Sequence, residues 1–356
     1  MGENQVSTKR MANFELLRCI AMMMVVVLHF LGKGGVLAPL NSPSMQGFEY
    51  LAWVLESLCI VAVNVYMLIS GYFLVESSFS WKKLLRLWLQ VFLYSAGIGV
   101  VSYLTGYRPE GGYSIYYLAR LLFPITKNHY WFMTAYFYMM LFAPFLAAGV
   151  KKLNKKQFQT LLILLLVAFS GMKSILPMNL ETDRQGYDVI WYLCVFLTAA
   201  YIRLYGIPFF KNKTRSFGMY FICCGAIFAV SFALRAVYLR TGKGLDILSF
   251  CYHYNHILVL AAAVALFYGF SHMNIKEGAF SRIVCAVSPL TLGVYLLHCH
   301  TSLDMRWQEW IFALVGRPAG YGSLLLGVVV SVVLVFTAGI CVDAVRRFLF
   351  YKVGRI

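Results

Sequence analysis

Residues 14–30 read FELLRCIAMMMVVVLHF, an apolar stretch that carries an acid, a guanidinium and an imidazole. With its neighbours it is long enough for a membrane-spanning helix, which needs about 20 apolar residues. The eleven steps from Arg18 to His29 make about three helical turns, so both side chains share a face about 16 Å apart. Glu15 lies one turn before Arg18 and is predicted to pair with it. The first helix therefore carries a polar stripe.

The composition of the whole chain is that of a membrane protein. Of its 356 residues, 61% are hydrophobic and 13% are charged, about half the charged fraction of a soluble domain. We predict an all-α, polytopic transmembrane helix bundle of about ten spans. It is expected to form one integral-membrane domain, residues 1–356, among the lipids of the cell (plasma or inner) membrane. The predicted spans are 14–31, 51–74, 84–104, 130–150, 158–176, 189–205, 217–239, 251–271, 283–300 and 322–345.

The basic residues predict the orientation of these spans. The net charge is +17, which in a soluble protein would suggest nucleic acid. Here the Lys/Arg excess of cytoplasmic loops explains the charge, and no nucleic-acid partner is expected. The clusters KKLNKK (151–156) and KNKTR (211–215) fall on the same side as the N-terminus when the spans alternate. Both termini are therefore expected in the cytoplasm.

The histidines concentrate on the side of the membrane opposite to the basic clusters. Under this orientation His272 is cytoplasmic, and the others lie at the outer ends of spans. These others are His29, His129, His253, His256, His298 and His300. Imidazole titrates near neutral pH, so this sidedness suits a protein that binds an anion from the cytoplasm and moves protons near the outer face. For most of them, the alternative is an interfacial histidine hydrated by water.

Five segments, in order along the chain, resemble helices of a known family. They are FELLRCIAMMMVVVLH (14–29), VNVYMLISGYFL (63–74), SWKKLLRLW (80–88), HYWFMTAYFYMMLFAPFL (129–146) and SPLTLGVYLLHCH (288–300). Together they resemble the integral-membrane acyltransferase-3 family of surface-sugar O-acyltransferases and O-acetyltransferases. The sequence departs from the family pattern at particular residues. Family members often have an Arg pair where Lys82 and Lys83 stand, and the Trp-Phe helix lacks an acid that some members carry.

The resemblance implies transfer of an acetyl or other short acyl group from cytoplasmic acyl-CoA to a hydroxyl of an extracytoplasmic sugar or polysaccharide. Acetyl-CoA or another acyl-CoA would be the donor. Such transfer needs a base and stabilisation of an oxyanion. His29 is the expected base, and Glu15 would hold Arg18. Because Arg18 keeps its proton, it would stabilise a thioester oxyanion or a CoA phosphate. Whether His29 itself becomes acylated stays open.

Other residues are expected to contact the substrates. Those expected to bind acyl-CoA are Lys82, Lys83, Arg86, Ser70 and Gly71, and those expected to bind the acceptor are Glu56, Trp131, Tyr295 and His298. Glu56 could instead pair with His29. No metal is expected, because the nine cysteines lie in apolar stretches without zinc-like CxxC spacing.

Three alternatives stay open at this point. The basic residues could be topology signals alone, and Glu15 and Arg18 could be a packing ion pair. The whole chain could be a multi-pass transporter or flippase for a sugar-linked or amphipathic substrate, because charges inside a membrane often mark a pathway. Transporters often have interrupted helices in two matching halves, and the sequence does not show such a pattern.

Overall fold

The computed structural model describes residues 10–109, 112–176 and 184–353, the last three by their backbone. Within these ranges the chain forms α-helices and no strand. The helices are α1 Ala12–Leu31, α2 Gly47–Cys59, α3 Ala62–Leu74, α4 Trp81–Leu104, α5 Ile115–Leu122, α6 Trp131–Lys151, α7 Lys155–Leu166, α8 Met172–Ile175, α9 Val189–Tyr205, α10 Lys213–Thr241, α11 Ile257–Ser271, α12 Ala279–Val287, α13 Thr291–His298, α14 Trp307–Val315 and α15 Tyr321–Val353.

Nine segments of the described chain are long and apolar enough to cross a membrane. They are Ala12–Leu31, Gly47–Leu74, Trp81–Leu104, Trp131–Lys151, Lys155–Ile175, Lys213–Thr241, Leu245–Ser271, Ala279–His298 and Tyr321–Phe350. A tenth apolar helix, α9, has 17 residues and the predicted bounds. At 1.5 Å per residue it is about 25 Å long, a little less than the hydrocarbon core of about 30 Å. The prediction of an all-α polytopic bundle is confirmed.

The helices form an inner group and an outer group. Helices α1, α3, α9 and α11 are mostly buried, and large side chains such as Phe14 and Trp191 are enclosed there. The outer helices α4, α10 and α15 expose long apolar faces, which include Val101, Ile222 and Val329. Apolar faces of this extent are unfavourable in water, so these are the faces that meet lipid.

Several spans are interrupted between consecutive helical segments, two of them at breaks that separate helices of at least eight residues each. The first break, at Ile60 and Val61, separates α2 from α3. The second, at Ser288–Leu290, is a 3₁₀ turn between α12 and α13. Pro289 has no backbone N–H to continue the α-helical hydrogen bonding, so the chain tightens there. This turn brings Ser288 within hydrogen-bonding distance of Glu15 on α1.

Helices α3 and α9 approach closely at a glycine. A Cβ on Gly71 would lie 2.8 Å from Cβ of Ala199 and 3.2 Å from Cα of Phe196. Small residues allow this kind of close approach between membrane helices. Gly71, which was expected to contact the donor, therefore lies in a helix interface, while the neighbouring Ser70 faces a cavity.

Candidate functional site

The ion pair predicted on α1 is present. Nη1 of Arg18 lies 2.9 Å from each carboxylate oxygen of Glu15. The hydroxyl of Ser288, in the turn before α13, also donates a hydrogen bond to Glu15. The side chain of Glu15 is 8% exposed and that of Arg18 is 28% exposed. A buried carboxylate needs such partners, so Glu15 orients the Arg18 guanidinium and neutralises part of its charge.

Arg18 keeps part of its hydrogen-bonding capacity for a ligand. A guanidinium has five N–H donors, and Nη1 alone serves Glu15. Nε and Nη2 have no partner among the residues that the structure describes. The backbone at this point is held by Tyr66, whose hydroxyl donates to the Arg18 carbonyl at 2.8 Å and lies 3.2 Å from Oγ1 of Thr291. The free donors therefore belong to a side chain whose backbone is well anchored.

At the far end of the stripe, His29 meets a second histidine. Nδ1 of His29 lies 3.0 Å from Nε2 of His298, the last residue of α13, and 3.5 Å from Sγ of Cys299. Nδ1 of His298 in turn lies 2.6 Å from the carbonyl oxygen of Val294. Glu56 is not among the groups at His29 Nδ1. One of its carboxylate oxygens is enclosed and has no hydrogen-bond partner within the described part of the chain.

These hydrogen bonds determine which nitrogen of the neutral His29 and His298 imidazoles carries the proton. A carbonyl oxygen only accepts hydrogen bonds, so His298 holds its proton on Nδ1 and accepts through Nε2. His29 must then donate from Nδ1, which leaves its Nε2 unprotonated. That nitrogen has no partner in the described ranges, and His29 lines the cavity. A neutral imidazole with a free lone pair is what a general base requires.

A cavity of about 250 Å³ joins the two ends of the polar stripe. Both Arg18 and His29 line it, together with Tyr66, Tyr136 and Tyr295. Most of the lining is apolar, and it also includes several hydroxyl groups. One slender ligand lying along α1 can therefore contact both ends of the stripe.

The other predicted site residues lie at different distances from this cavity. Ser70, Trp131 and Tyr295 line it. Lys82, Lys83 and Arg86 are exposed on the first turns of α4, where Leu87 reaches the cavity. Lys83 lines a separate small pocket beside α6. The structure thus brings Glu15, Arg18, His29 and His298 into one site and leaves the α4 cations beside it.

Several lining residues were not predicted from the sequence. They are Arg10, Tyr66, Tyr254, Ser288 and Thr291. Tyr66 lies one helical turn before Ser70, so reasoning about a shared helix face could have found it. The Ser-Pro pair at 288–289 is a signal for a helix break, and it stands at the start of the last of the five segments. Arg10 stands just before the first span, where a basic residue is an ordinary topology signal.

An aromatic cluster adjoins the cavity where Trp131 and Tyr254 line it. The ring centroid of Trp131 lies 4.3 Å from that of Tyr187 and 5.6 Å from that of Tyr254, with which it stacks. Asn64 fixes the cluster, because its Nδ2 donates to the Tyr254 carbonyl and its Oδ1 accepts from Nε1 of Trp191. Such rigid aromatic faces offer a large contact area to a ligand.

A further histidine, His129, has all its ring nitrogens engaged. Its Nε2 accepts from the backbone N–H of Thr301 at 3.4 Å, so the ring proton is on Nδ1. Nδ1 lies 3.2 Å from Oγ of Ser95 and 3.3 Å from the Arg120 carbonyl. Burial, with smaller effects of His300 and Arg120, lowers the pKa of His129 to about 3. His129 is therefore a neutral structural group and not a base for substrate.

We expect His129 to make stability depend on pH. Its folded pKa lies below the unfolded value of about 6.5, so the folded protein binds fewer protons and loses stability as pH falls below about 6.5. At pH 5 the loss is about 2 kcal/mol. The melting temperature in detergent should fall between pH 7 and pH 5. The melting temperature of His129→Asn, which keeps a donor near the position of Nδ1, should fall less. Equal decreases in both proteins would contradict this assignment.

Comparison with known proteins identifies the family of the chain. The family model for the acyltransferase-3 domain, described as an acyltransferase domain, matches residues 11–342. Searches of curated proteins and of solved structures found no match. The matched range includes every helix that lines the cavity, from the polar stripe on α1 to the histidine that ends α13. The chain belongs to the acyltransferase-3 family.

Proposed function

We propose that this protein moves an acetyl or other short acyl group from cytoplasmic acyl-CoA to a hydroxyl of a sugar or polysaccharide on the other side of the membrane. The observation that carries the proposal is the unprotonated Nε2 of His29, in a cavity that also reaches the free N–H groups of Arg18. Membership of an acyltransferase family supports the reaction class.

The arrangement around His29 suits the proton transfers of this reaction. Nε2 would take the proton of the acceptor hydroxyl as its oxygen attacks the thioester carbonyl carbon. When the tetrahedral intermediate collapses, the carbon–sulfur bond breaks, and the thiolate of CoA takes the proton back from His29. His298 would hold the ring in place throughout, because Nδ1 of His29 stays bonded to it. An orienting partner of this kind fixes the tautomer of a catalytic histidine.

The spacing on α1 separates the roles of Arg18 and His29. Eleven residues correspond to about 16 Å along the helix axis, so Arg18 is too far to stabilise an oxyanion formed beside His29. Of the two roles considered for Arg18, the structure favours contact with a distant part of the donor, such as a CoA phosphate or an amide of its arm. Charge-assisted contacts of this kind are strong and directional.

Cations lie at the Arg18 end of the cavity. Arg10 lines the cavity and also a broad groove of about 1160 Å³ between α1, α11 and α12. Arg282 lines the same groove, as does one carboxylate, Glu277. Acyl-CoA would place its phosphates near Arg10, with its thioester arm in the cavity. The exposed α4 cations Lys82, Lys83 and Arg86 would add to the positive electrostatic potential around this end of the cavity.

At the His29 end, the acceptor would lie against the aromatic cluster. Trp131 and Tyr254 line the cavity, and Tyr295 and His298 lie on the neighbouring α13. A sugar ring has apolar C–H faces that pack against aromatic rings, while its hydroxyl groups need polar partners. Glu56, with an enclosed oxygen that has no partner in the described residues, would provide one by a small rearrangement.

The reaction can be tested with the purified protein in liposomes. Acetyl-CoA is supplied on one side and oligosaccharides are supplied on the other, and two products are measured: free CoA thiol and labelled acetyl groups on the sugar. We expect thiol release that depends on acceptor and on orientation. Passage of oligosaccharide across the membrane without thiol release would instead support a transporter.

Reversing the charge of Arg10, which lines the Arg18 end of the cavity, is expected to weaken acyl-CoA binding. Arg10→Glu should raise the Kd for acetyl-CoA about 10- to 100-fold, as expected for the loss of a charge-assisted hydrogen bond, and Lys83→Glu should raise it less. High salt should weaken binding to the wild type. The control is Lys156→Glu, an exposed cation in the 151–156 cluster. If Lys156→Glu weakened binding as much as Arg10→Glu, no specific contact would be indicated.

A further inference from the structure

The histidine pair includes a third atom able to bind a metal ion. Nδ1 of His29, Nε2 of His298 and Sγ of Cys299 all lie within 4.8 Å of one another. Imidazole nitrogen and thiolate sulfur are both ligands of Zn²⁺, and three protein ligands leave one position open in a tetrahedral site. His29 and Cys299 are 270 residues apart, so no local sequence spacing marks this group.

Two of the three separations are close to those that a tetrahedral ion requires, and the whole group lies within 4.8 Å. With metal–nitrogen bonds of about 2.0–2.1 Å and metal–sulfur bonds of about 2.3 Å, neighbouring ligand atoms lie about 3.3–3.6 Å apart. Sγ of Cys299 lies 3.5 Å from Nδ1 of His29, and Nε2 of His298 lies 3.0 Å from it. An opening of a few tenths of an ångström between the two rings, together with a rotation of the Cys299 side chain that brings Sγ to the same distance from both nitrogens, would admit the ion.

The surroundings favour metal binding in two further ways. His298 donates its other ring N–H to the Val294 carbonyl, the outer contact that orients most metal-binding histidines. His29 belongs both to this group and to the cavity lining, so the three ligand atoms lie directly beside the cavity. The site does not need a metal for folding, because the rings already bond to each other.

We propose that Zn²⁺, or the softer Cd²⁺, binds these three atoms reversibly and inhibits acyl transfer, an inference whose inhibitory part rests on the proposed function. A metal on Nδ1 of His29 displaces the proton from that nitrogen, and the neutral ring then carries its proton on Nε2. The thiol of Cys299 loses its proton to solvent on binding. The nitrogen that would accept the proton of the acceptor hydroxyl becomes an N–H donor, so metal binding removes the base.

Metal binding and inhibition can be measured separately. Purified protein in EDTA-washed detergent is titrated with Zn²⁺, and bound metal is counted by mass spectrometry after gel filtration. Transfer from acetyl-CoA is assayed on the same samples. We expect one Zn²⁺ per chain, inhibition that follows occupancy, and full recovery with EDTA. Mg²⁺ should have no effect, because it prefers oxygen ligands.

Cys299→Ser is the decisive variant, and Cys341→Ser, at an exposed cysteine on α15, is its matched control. Cys299→Ser should keep transfer without metal and raise the Zn²⁺ Kd at least about tenfold, whereas Cys341→Ser should behave as wild type. If Cys299→Ser does not fold in EDTA, Cys299→Ala replaces it. Unchanged zinc affinity without the thiol would overturn the site, and occupancy without inhibition would overturn the mechanism. Zinc binding that needs Cys299 in a protein with no acyl transfer would contradict the proposed function and leave the site standing.

Discussion

Replacing His29 with alanine is expected to reduce acyl transfer by about 10²- to 10⁴-fold, the usual effect of removing a general base. The reason is the free Nε2 of His29, which the hydrogen bonds through His298 to Val294 leave unprotonated. Acetyl-CoA should still bind, because the Arg18 end of the cavity is about 16 Å away along α1. The measurements are the rate of CoA thiol release with acceptor present and the Kd for acetyl-CoA.

The control for this variant is His253→Ala. His253 is partly exposed and does not belong to the histidine pair, so its loss should leave transfer unchanged. Thermal melting of both variants separates loss of chemistry from loss of fold. Transfer by His29→Ala at close to the wild-type rate would remove the base assignment, and the shared face of Arg18 and His29 would then be a packing feature.

The same variant addresses whether the acyl group passes through the enzyme. With acetyl-CoA and no acceptor, direct transfer predicts no stable label on the protein. A covalent relay predicts an acetyl group on Nε2 of His29, since the free lone pair that makes the nitrogen a base also makes it a nucleophile. Rapid quenching with labelled acetyl-CoA, compared between wild type and His29→Ala, distinguishes the two routes.

The parts of this site that lie within one helix could be predicted from the sequence. Helical periodicity places Glu15, Arg18 and His29 on one face, and the ion pair follows from their spacing. The spans follow from apolar length because a bilayer leaves no other way to satisfy the backbone. The ends of spans differ from the prediction by several residues: α4 begins at Trp81 rather than at 84, and α15 continues to Val353 rather than ending at 345.

Contacts between distant helices could not be predicted in this way. The partner of His29 is His298, 269 residues later, and it meets α1 only because α13 starts after the break at Pro289. The sequence of one helix does not state which other helix packs against it. For this reason Glu56 was a reasonable candidate for the partner of His29, and Ser288, which bonds to Glu15, was not considered.

The second large effect is expected at Arg18. Arg18→Lys keeps the positive charge beside Glu15 and loses the planar group whose Nε and Nη2 remain available to a ligand. Lysine does not reproduce such a fork. We therefore expect kcat/KM for acetyl-CoA to fall about 10- to 100-fold, which corresponds to the loss of about one charge-assisted hydrogen bond, while the melting temperature changes little. Steady-state kinetics and thermal melting measure the two effects.

A double substitution separates the two roles that remain for Arg18. Arg18→Gln alone leaves Glu15 buried without its cation, and such a loss is strongly destabilising. Adding Glu15→Gln removes the unpaired charge, so the double variant should regain stability. If Arg18 were a packing partner alone, the double variant would also regain transfer. If Arg18 holds the donor, stability returns and kcat/KM does not, because the carboxylate was never the group that contacted acyl-CoA. Recovery of both stability and transfer would show that the Glu15–Arg18 pair serves folding. The cations around Arg10 would then bind the donor.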